Sequence, residues 1–406
     1  MAIEDSLWSG LIRELLDRSH LWRPEEVGGI LDGAAAALGL RMTVHLVDHE
    51  QLALHPLPVP GRPAAGPLAI DGTDAGRAFA LIETVTAGDR HWSPMVNGTD
   101  RIGVLEVEFP AGTPDPALVR ACETVAGLVG HLITTTTPRG DHLHRIRRTG
   151  PMSPGAELLR QLLPPLTVSV TDFAVAAVLE PCYDVGGDAF DYAADGRRPQ
   201  FVVLDAAGRR MRAGLAAAVV LSCVRSARRA GQDLLAQARA ADEELLRQFP
   251  DARFATAVLA ELDLDTGLLS YVNAGHPPPL VLRDGSIVET LTDGRRMPLG
   301  IEDPKASYGQ VELRPGDRLL LYTDGVTEAR DDSGEHFGIR RLAAVAEEHA
   351  GAGLPLPEAL RRLAHTVLGY RTGPPADDLT LVLVEWSADA ALRTVPPTSR
   401  ADDQPR

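Results

Sequence analysis

Cysteine is scarce. Cys122, Cys182 and Cys223 are the only three in 406 residues, and none stands at metal-site spacing from another cysteine or from a histidine. That excludes a disulfide framework and a zinc or iron–sulfur module, and it fits a reducing compartment, the cytoplasm. Lysine is scarcer still, with Lys305 alone, so arginine carries almost all the positive charge. Acidic residues outnumber basic ones by 56 to 40, for a formal charge of −16. Such a balance argues against nucleic acid as a partner. No unbroken apolar run reaches the ~18 residues of a membrane-spanning helix. The start, "MAIEDSLWSGLIRELLDRSH", is acidic and amphipathic, unlike a signal peptide. The chain is therefore expected to have no membrane span. A P-loop is also missing, since "VGGD" is too short to cradle a nucleotide phosphate.

What is present is apolar material in quantity: 44% of the residues are hydrophobic, enough for two or three domains on the length prior. Residues 5–18 and 25–38 carry helical spacing, with Leu7, Leu11, Ile12, Leu15 and Leu16 on recurring positions. "RMTVHLVD" alternates like a strand, and "GRAFALIETVTAG" and "DRIGVLEVEFP" are read as two more. A helix through residues 118–137 closes this part, which predicts a small α+β module with one central sheet over residues 1–140. Residues 141–166 are read as a linker with a short apolar-faced helix, "AELLRQLLPPL", stopped by two prolines. From 167 to 387 the pattern turns to strands: "DFAVAAVLEP", "QFVVLD", "FATAVLAELDL", "LLSYVNAG", "PLVLRDG", "SIVETL", "DRLLLYTDG" and "LTLVLVEW". Turn sequences join them, and helical segments are interspersed, so this region is predicted to be a sheet-on-sheet sandwich covered by helices. Residues 388–406 are polar and Pro-bearing and read as a disordered tail.

Four aspartates of the second region share a setting. Asp188 follows two glycines in "YDVGGDAFDY". Asp205 ends the apolar run "FVVLD", Asp324 ends "LLLYTD", and Asp377, with Asp378 beside it, begins "LTLVLV". Carboxylates at strand ends are held by a rigid scaffold yet can face a crevice. Close together and ionised, they require cations. The cluster contains no cysteine and little histidine, so the fitting ions are hard ones, Mg²⁺ or Mn²⁺. Two such ions activate a water and clamp a phosphoryl oxygen without a covalent nucleophile. Each aspartate taken singly is more simply a turn or a solvated edge. Asp263 and Asp265 of "DLDTG" are assigned to a hairpin turn.

The order of these pieces resembles a known family. "RQLLPPL", "EPCYDVGGDAFDY", "VVLDAAG", "FATAVLAELD", "YVNAGHPPPLVL", "PLGI", "RPGDRLLLYTDGVTEA" and "ADDLTLVLV" make residues 156–386 similar to PPM-type (protein phosphatase 2C-like) serine/threonine phosphatases of the bacterial SpoIIE/RsbU-like subgroup. The resemblance implies an αββα sandwich with two Mn²⁺ or Mg²⁺ ions at one end. It implies that Asp205 bridges both ions and that the Ala206 carbonyl binds one. Asp324 and Asp377 would hold the other, and Asp188 would act directly or through water, with Asp188 and Asp205 as the catalytic pair. It further implies a phosphorylated STAS-domain anti-sigma factor antagonist as substrate, and control by an N-terminal sensor through a helix like 156–166. "RPEEVGGILDGAAAALGL", "RIGVLEVEFP" and the closing helix resemble, more loosely, a GAF domain. That likeness implies a homodimer, with either a small-molecule ligand or a purely structural dimerisation role, since no ligand-specific residue stands out.

The chain departs from the subgroup at one place. After Asp205 the subgroup has Gly-His-Gly, whereas here Gly208 is followed by Arg209 and Arg210. If the second glycine is needed for a positive φ, Arg210 is strained. This keeps open an alternative, a phosphatase fold that binds its partner with weak or no turnover. His276 of "NAGHPPP" and the stretch Met297 to Gly300 are expected to be structural.

Overall fold

Alternate residues of the strand Gln200–Ala206 enter different cores. Val202, Leu204 and Ala206 pack with the helices Arg210–Arg229 and Leu234–Gln248. Phe201 and Val203 turn the other way and meet Phe173, Val175 and Ala177 of the strand Phe173–Glu180. Ala174, Ala176 and Val178 of that second strand then face the helices Gly338–Ala350 and Leu356–Tyr370. Period-two side chains on strands apolar on both faces give this stacking directly. The layers run helix, sheet, sheet, helix, and the chain is a mixed α+β protein with an αββα sandwich in its second half.

The computed structural model describes residues 5–109, 116–180, 183–184, 186–208, 210–249, 254–373 and 377–396. Cys182, Arg209 and the tail from residue 397 lie outside them. The chain divides into two compact units, Met1–Gly150 with Leu392–Arg406, and Pro151–Ala391.

In the second unit, one six-stranded sheet runs Arg295–Arg296, Leu268–Ala274, Ala255–Leu262, Gln200–Ala206, Asp188–Ala193, with Gly309–Glu312 also pairing Leu268–Ala274. The other runs Ser286–Thr290, Leu280–Arg283, Arg318–Tyr322, Leu379–Trp386, Phe173–Glu180, Thr167–Val170. The strands Gln200–Ala206, Arg318–Tyr322 and Leu379–Trp386 are hydrogen-bonded on both sides, whereas Asp188–Ala193 is the last strand of its sheet and pairs with Gln200–Ala206. The short helix Pro154–Leu162 packs on Arg210–Arg229 through Ala156 and Leu159. The "DLDTG" turn forms as expected: Asp263 Oδ1 accepts the N–H of Asp265 and of Thr266, and Gly267 takes φ 77°.

The first unit has one six-stranded antiparallel sheet, in the order Leu68–Ala69, Ala53–Pro56, Arg41–Val47, Asp100–Glu108, Arg90–Asn97, Val85–Ala87. Helices Asp5–Ser19, Val27–Ala36 and Pro116–Thr136 share a core with one face. Helix Asp74–Leu81 covers the other. This corrects the strand expected at "GRAFALIETVTAG". Thr73 Oγ1 accepts the Gly76 N–H at 2.9 Å and caps a helix. Ala75, Ala78 and Phe79 then bury one helical face, and only Val85–Ala87 remains extended. A second correction concerns membrane-spanning length. The helix 116–139 is long and apolar enough to cross a bilayer by length and composition, which a search for an unbroken apolar run passes over. Its Cys122, Val125, Ala126, Val129 and Ile133 lie in the core of the first unit. Within the stretch read as a tail, Ala391–Thr394 form a 3-10 turn.

Candidate metal centre

Both sheets of the sandwich deliver carboxylates to one place. Asp188 opens the strand Asp188–Ala193, and in the antiparallel register it lies directly opposite Asp205. Asp324 begins the short helix Asp324–Thr327 after the strand Arg318–Tyr322, and Asp377 and Asp378 precede Leu379–Trp386. Hydrogen bonds tie the two groups together. Thr323 Oγ1 donates to Asp188 Oδ2 at 2.7 Å, and the backbone N–H groups of Gly186 and Gly187 donate to Asp378 Oδ2 at 2.6 and 2.8 Å. Each aspartate sits where an apolar strand leaves the core, which explains why burial is graded. Asp188 and Asp378 are buried, Asp205 and Asp324 are half-buried, and Asp377 is exposed.

The electrostatics follow. Burial, and then the charges of Asp324, Asp377 and Asp378, push the Asp205 carboxyl up to about 7. Burial and the neighbouring Asp205 and Asp378 hold the Asp188 carboxyl well above the usual range, against the opposing bond from Thr323. Asp324 is raised by burial and by Asp377. Asp378 is raised to about 6, chiefly by burial, although three backbone N–H groups favour its anion. Carboxyl groups that raise one another form a site with a deficit of positive charge.

The donors suit a hard divalent cation: they are oxygens only, with no thiol among them. Among the described residues, no three His, Cys, Asp or Glu side chains close on one point as a ready-made cage. A backbone oxygen is available beside them. Ala206 N–H donates to Gly187 O at 3.1 Å, and a Cβ on Gly187 would stand 2.2 Å from the Ala206 carbonyl oxygen. Only glycine lets that oxygen be approached so closely. A donor set of separated carboxylates plus one carbonyl is what a cation that keeps several waters accepts.

All five positions picked from the sequence, Asp188, Asp205, Ala206, Asp324 and Asp377, thus fall at this end of the sandwich. Sequence reasoning missed Asp378, Thr323 and Gly187. The doubled acid in "ADDL" and the doubled glycine in "VGGD" were the available signals. His276 is buried, and its Nδ1 pairs with Thr256 Oγ1 at 2.8 Å, with Thr256 opposite Asp205 in the register. Burial pulls its imidazole down to about 3, so it is neutral at working pH and packs as a structural group. Arg210 takes φ 56°, the left-handed conformation that glycine adopts without cost.

Comparison with known proteins gives a consistent pattern. Residues 195–387 match the family described as stage II sporulation protein E, SpoIIE. The chain is 24% identical over 221 residues to the phosphoserine phosphatase RsbU of Bacillus subtilis, covering 52% of this chain and 62% of that protein. It is 38% identical over 76 residues to the phosphoserine phosphatase RsbP of the same organism, covering 18% of this chain and 19% of RsbP. Among solved structures, the RsbU and RsbW domains of Rv1364c from Mycobacterium tuberculosis align with TM-score 0.47 and 27% identity, over 54% of this chain and 62% of that one. The chain spans less than two thirds of the length of the curated relatives it matches.

Proposed function

We propose, from the membership of residues 195–387 in the SpoIIE family, that the chain is a metal-dependent phosphoprotein phosphatase acting on phosphoserine or phosphothreonine. The observation that carries this reading is the convergence of Asp188, Asp205 and Asp324, from both sheets, at one end of the sandwich. Such a cluster is stable in its ionised form only with added positive charge. Asp205, Ala206, Asp324, Asp377 and Asp188 would hold two Mn²⁺ or Mg²⁺ ions. When bound, the ions supply water activation and neutralise charge on the phosphoryl oxygens.

The chain's own residues do the rest. Asp205 faces carboxylates of both sheets and is the natural shared ligand. Thr323 Oγ1 holds Asp188 Oδ2 and so orients the carboxylate toward the site. Burial of Asp188 and Asp378 keeps bulk water from competing for their oxygens. The relatives are named phosphoserine phosphatases, and this supports a phosphoserine substrate. Following the family resemblance, we assign that phosphoserine to a STAS-domain anti-sigma factor antagonist in the cytoplasm. We read the first unit as a GAF-like sensor with a small-molecule ligand, and the assembly as a homodimer.

The test is phosphate release from a phosphorylated STAS-domain protein with Mn²⁺ present. Turnover by the wild type, abolished in both Asp205→Asn and Asp324→Asn, supports the reading. Equal turnover in wild type and variants refutes the site.

One observation favours a second reading, a phosphatase fold that recognises its partner with weak or no turnover. The left-handed Arg210 follows directly on the segment that carries Asp205 and Ala206. If Arg210→Gly creates turnover where the wild type has none, this second reading holds.

A further inference from the structure

Asp378 belongs to none of the ligand positions above, yet its carboxylate does something no other aspartate in the site does. Its Oδ2 accepts the backbone N–H groups of Gly186 at 2.6 Å, Gly187 at 2.8 Å and Asp188 at 3.3 Å. Successive N–H groups converging on one oxygen form an anion-binding nest. Hydrogen bonds to an ionised acceptor are roughly twice as strong as neutral ones. Asp378 is 5% exposed, so water competes little for these bonds.

The nest is keyed to both sides. A Cβ on Gly186 would stand 2.9 Å from Asp378 Oδ2, so the loop closes on the carboxylate only without a side chain there. Gly187 O accepts the Ala206 N–H, so a loop held by Asp378 also holds the backbone of Ala206. A Cβ on Gly325 would stand 1.8 Å from the Asp378 carbonyl oxygen, so the turn after Asp324 rests on the same residue. A parallel tether runs beside it. The Thr380 N–H donates to Thr323 Oγ1 at 2.9 Å, and Thr323 Oγ1 donates to Asp188 Oδ2. One sheet thereby fixes both the backbone and the carboxylate of an aspartate on the other.

We propose that Asp378 is a positioning residue for the metal centre. It sets where the Asp188 carboxylate and the Ala206 carbonyl stand relative to Asp324 and Asp377. It contacts neither the ions nor the phosphoryl group. The inference rests on the reading of this site as a divalent-metal centre.

Two substitutions in the full chain separate geometry from charge. Asp378→Asn keeps an oxygen for the three N–H groups, and Asp378→Ala removes it. Outer-shell partners of this kind are worth about 10- to 100-fold in metal affinity. Asp378→Ala is expected to weaken Mn²⁺ binding by that factor, counted by electron paramagnetic resonance per folded molecule, and Asp378→Asn to stay within several-fold of wild type. In metal-free protein, amide hydrogen exchange at Gly186, Gly187 and Asp188 is expected to quicken in Asp378→Ala and to stay near wild type in Asp378→Asn. Equal loss of Mn²⁺ in both variants overturns the proposal, because it makes the charge of Asp378 the contribution. Unchanged exchange, or a lowered melting temperature with Mn²⁺ affinity intact, overturns it in favour of a structural role only. A wild type that takes up no Mn²⁺ overturns the metal reading itself, and the exchange comparison distinguishes that failure because it needs no metal.

Discussion

Asp188 and Asp205 lie directly opposite each other on neighbouring antiparallel strands, so their side chains leave the same face of the sheet only a pleat apart. Like charges so placed are destabilising unless something positive stands between them. The arrangement costs stability in the bare protein, and the folded chain keeps it.

The first prediction concerns pH. Asp205 is raised to about 7 in the folded chain, from an unfolded value near 4. A carboxyl raised on folding binds its proton more tightly in the folded state. Its contribution to stability is present below about pH 4 and is lost as pH climbs through about 7. Asp188 and Asp378 act in the same direction. Chelator-treated protein should melt at a lower temperature at pH 8 than at pH 5. Added Mn²⁺ should raise the melting temperature more at pH 8. Thermal scans at both pH values check this, and a metal-induced gain that is larger at pH 5 contradicts it.

Substitution of the shared aspartate should separate stability from activity. Asp205→Asn removes one of the repelling charges, so without metal at pH 8 the variant should melt several degrees above wild type. With metal its phosphate release should fall by more than about 100-fold, because the variant loses a direct charged ligand and even outer-shell partners are worth about 10- to 100-fold. Melting curves and a phosphate-release assay on the same preparation check both halves.

His276 should behave as a structural residue. Its imidazole is lowered to about 3 by burial, so it stays neutral in the folded protein. A lowered histidine contributes stability above its unfolded value near 6.5, and that contribution is lost as pH falls toward 3. His276→Ala leaves Thr256 Oγ1 without this partner and should cost about 1–3 kcal/mol. Denaturant unfolding measures the cost. Mn²⁺ affinity of the folded variant should match wild type.

Arg210 offers a test of backbone strain. Arginine to glycine in a helix normally costs about 0.5–1 kcal/mol. At φ 56° a non-glycine residue already carries a penalty of about 1–2 kcal/mol. Arg210→Gly should therefore leave the unfolding free energy unchanged or raise it. A loss of the size seen at ordinary helix positions, measured by urea unfolding, argues that the left-handed conformation costs nothing here.

Much of this was legible in the sequence, for identifiable reasons. "FVVLD" and "LLLYTD" announce themselves because apolar strands must end where the core ends, and the next residue then has to face outward. The sandwich follows from strands with no polar face. Asp378 was not legible as a distinct role. Nothing local separates a carboxylate that faces a crevice from its neighbour that binds backbone amides 190 residues away. The helix Asp74–Leu81 was misread as a strand because its cap, Thr73, lies just before the quoted run, and its small residues suit either period. The left-handed Arg210 could be suspected only from a missing glycine. Its φ belongs to the tertiary fit of the turn, which a single sequence does not carry.

The most direct test of the metal centre is anomalous diffraction at the manganese edge from crystals of the full chain grown with Mn²⁺. Two anomalous peaks within coordination distance of Asp205, one of them touching the Ala206 carbonyl and the other reached by Asp324 and Asp377, are what this account predicts. Crystals grown with saturating Mn²⁺ that show no anomalous density among these residues would contradict it.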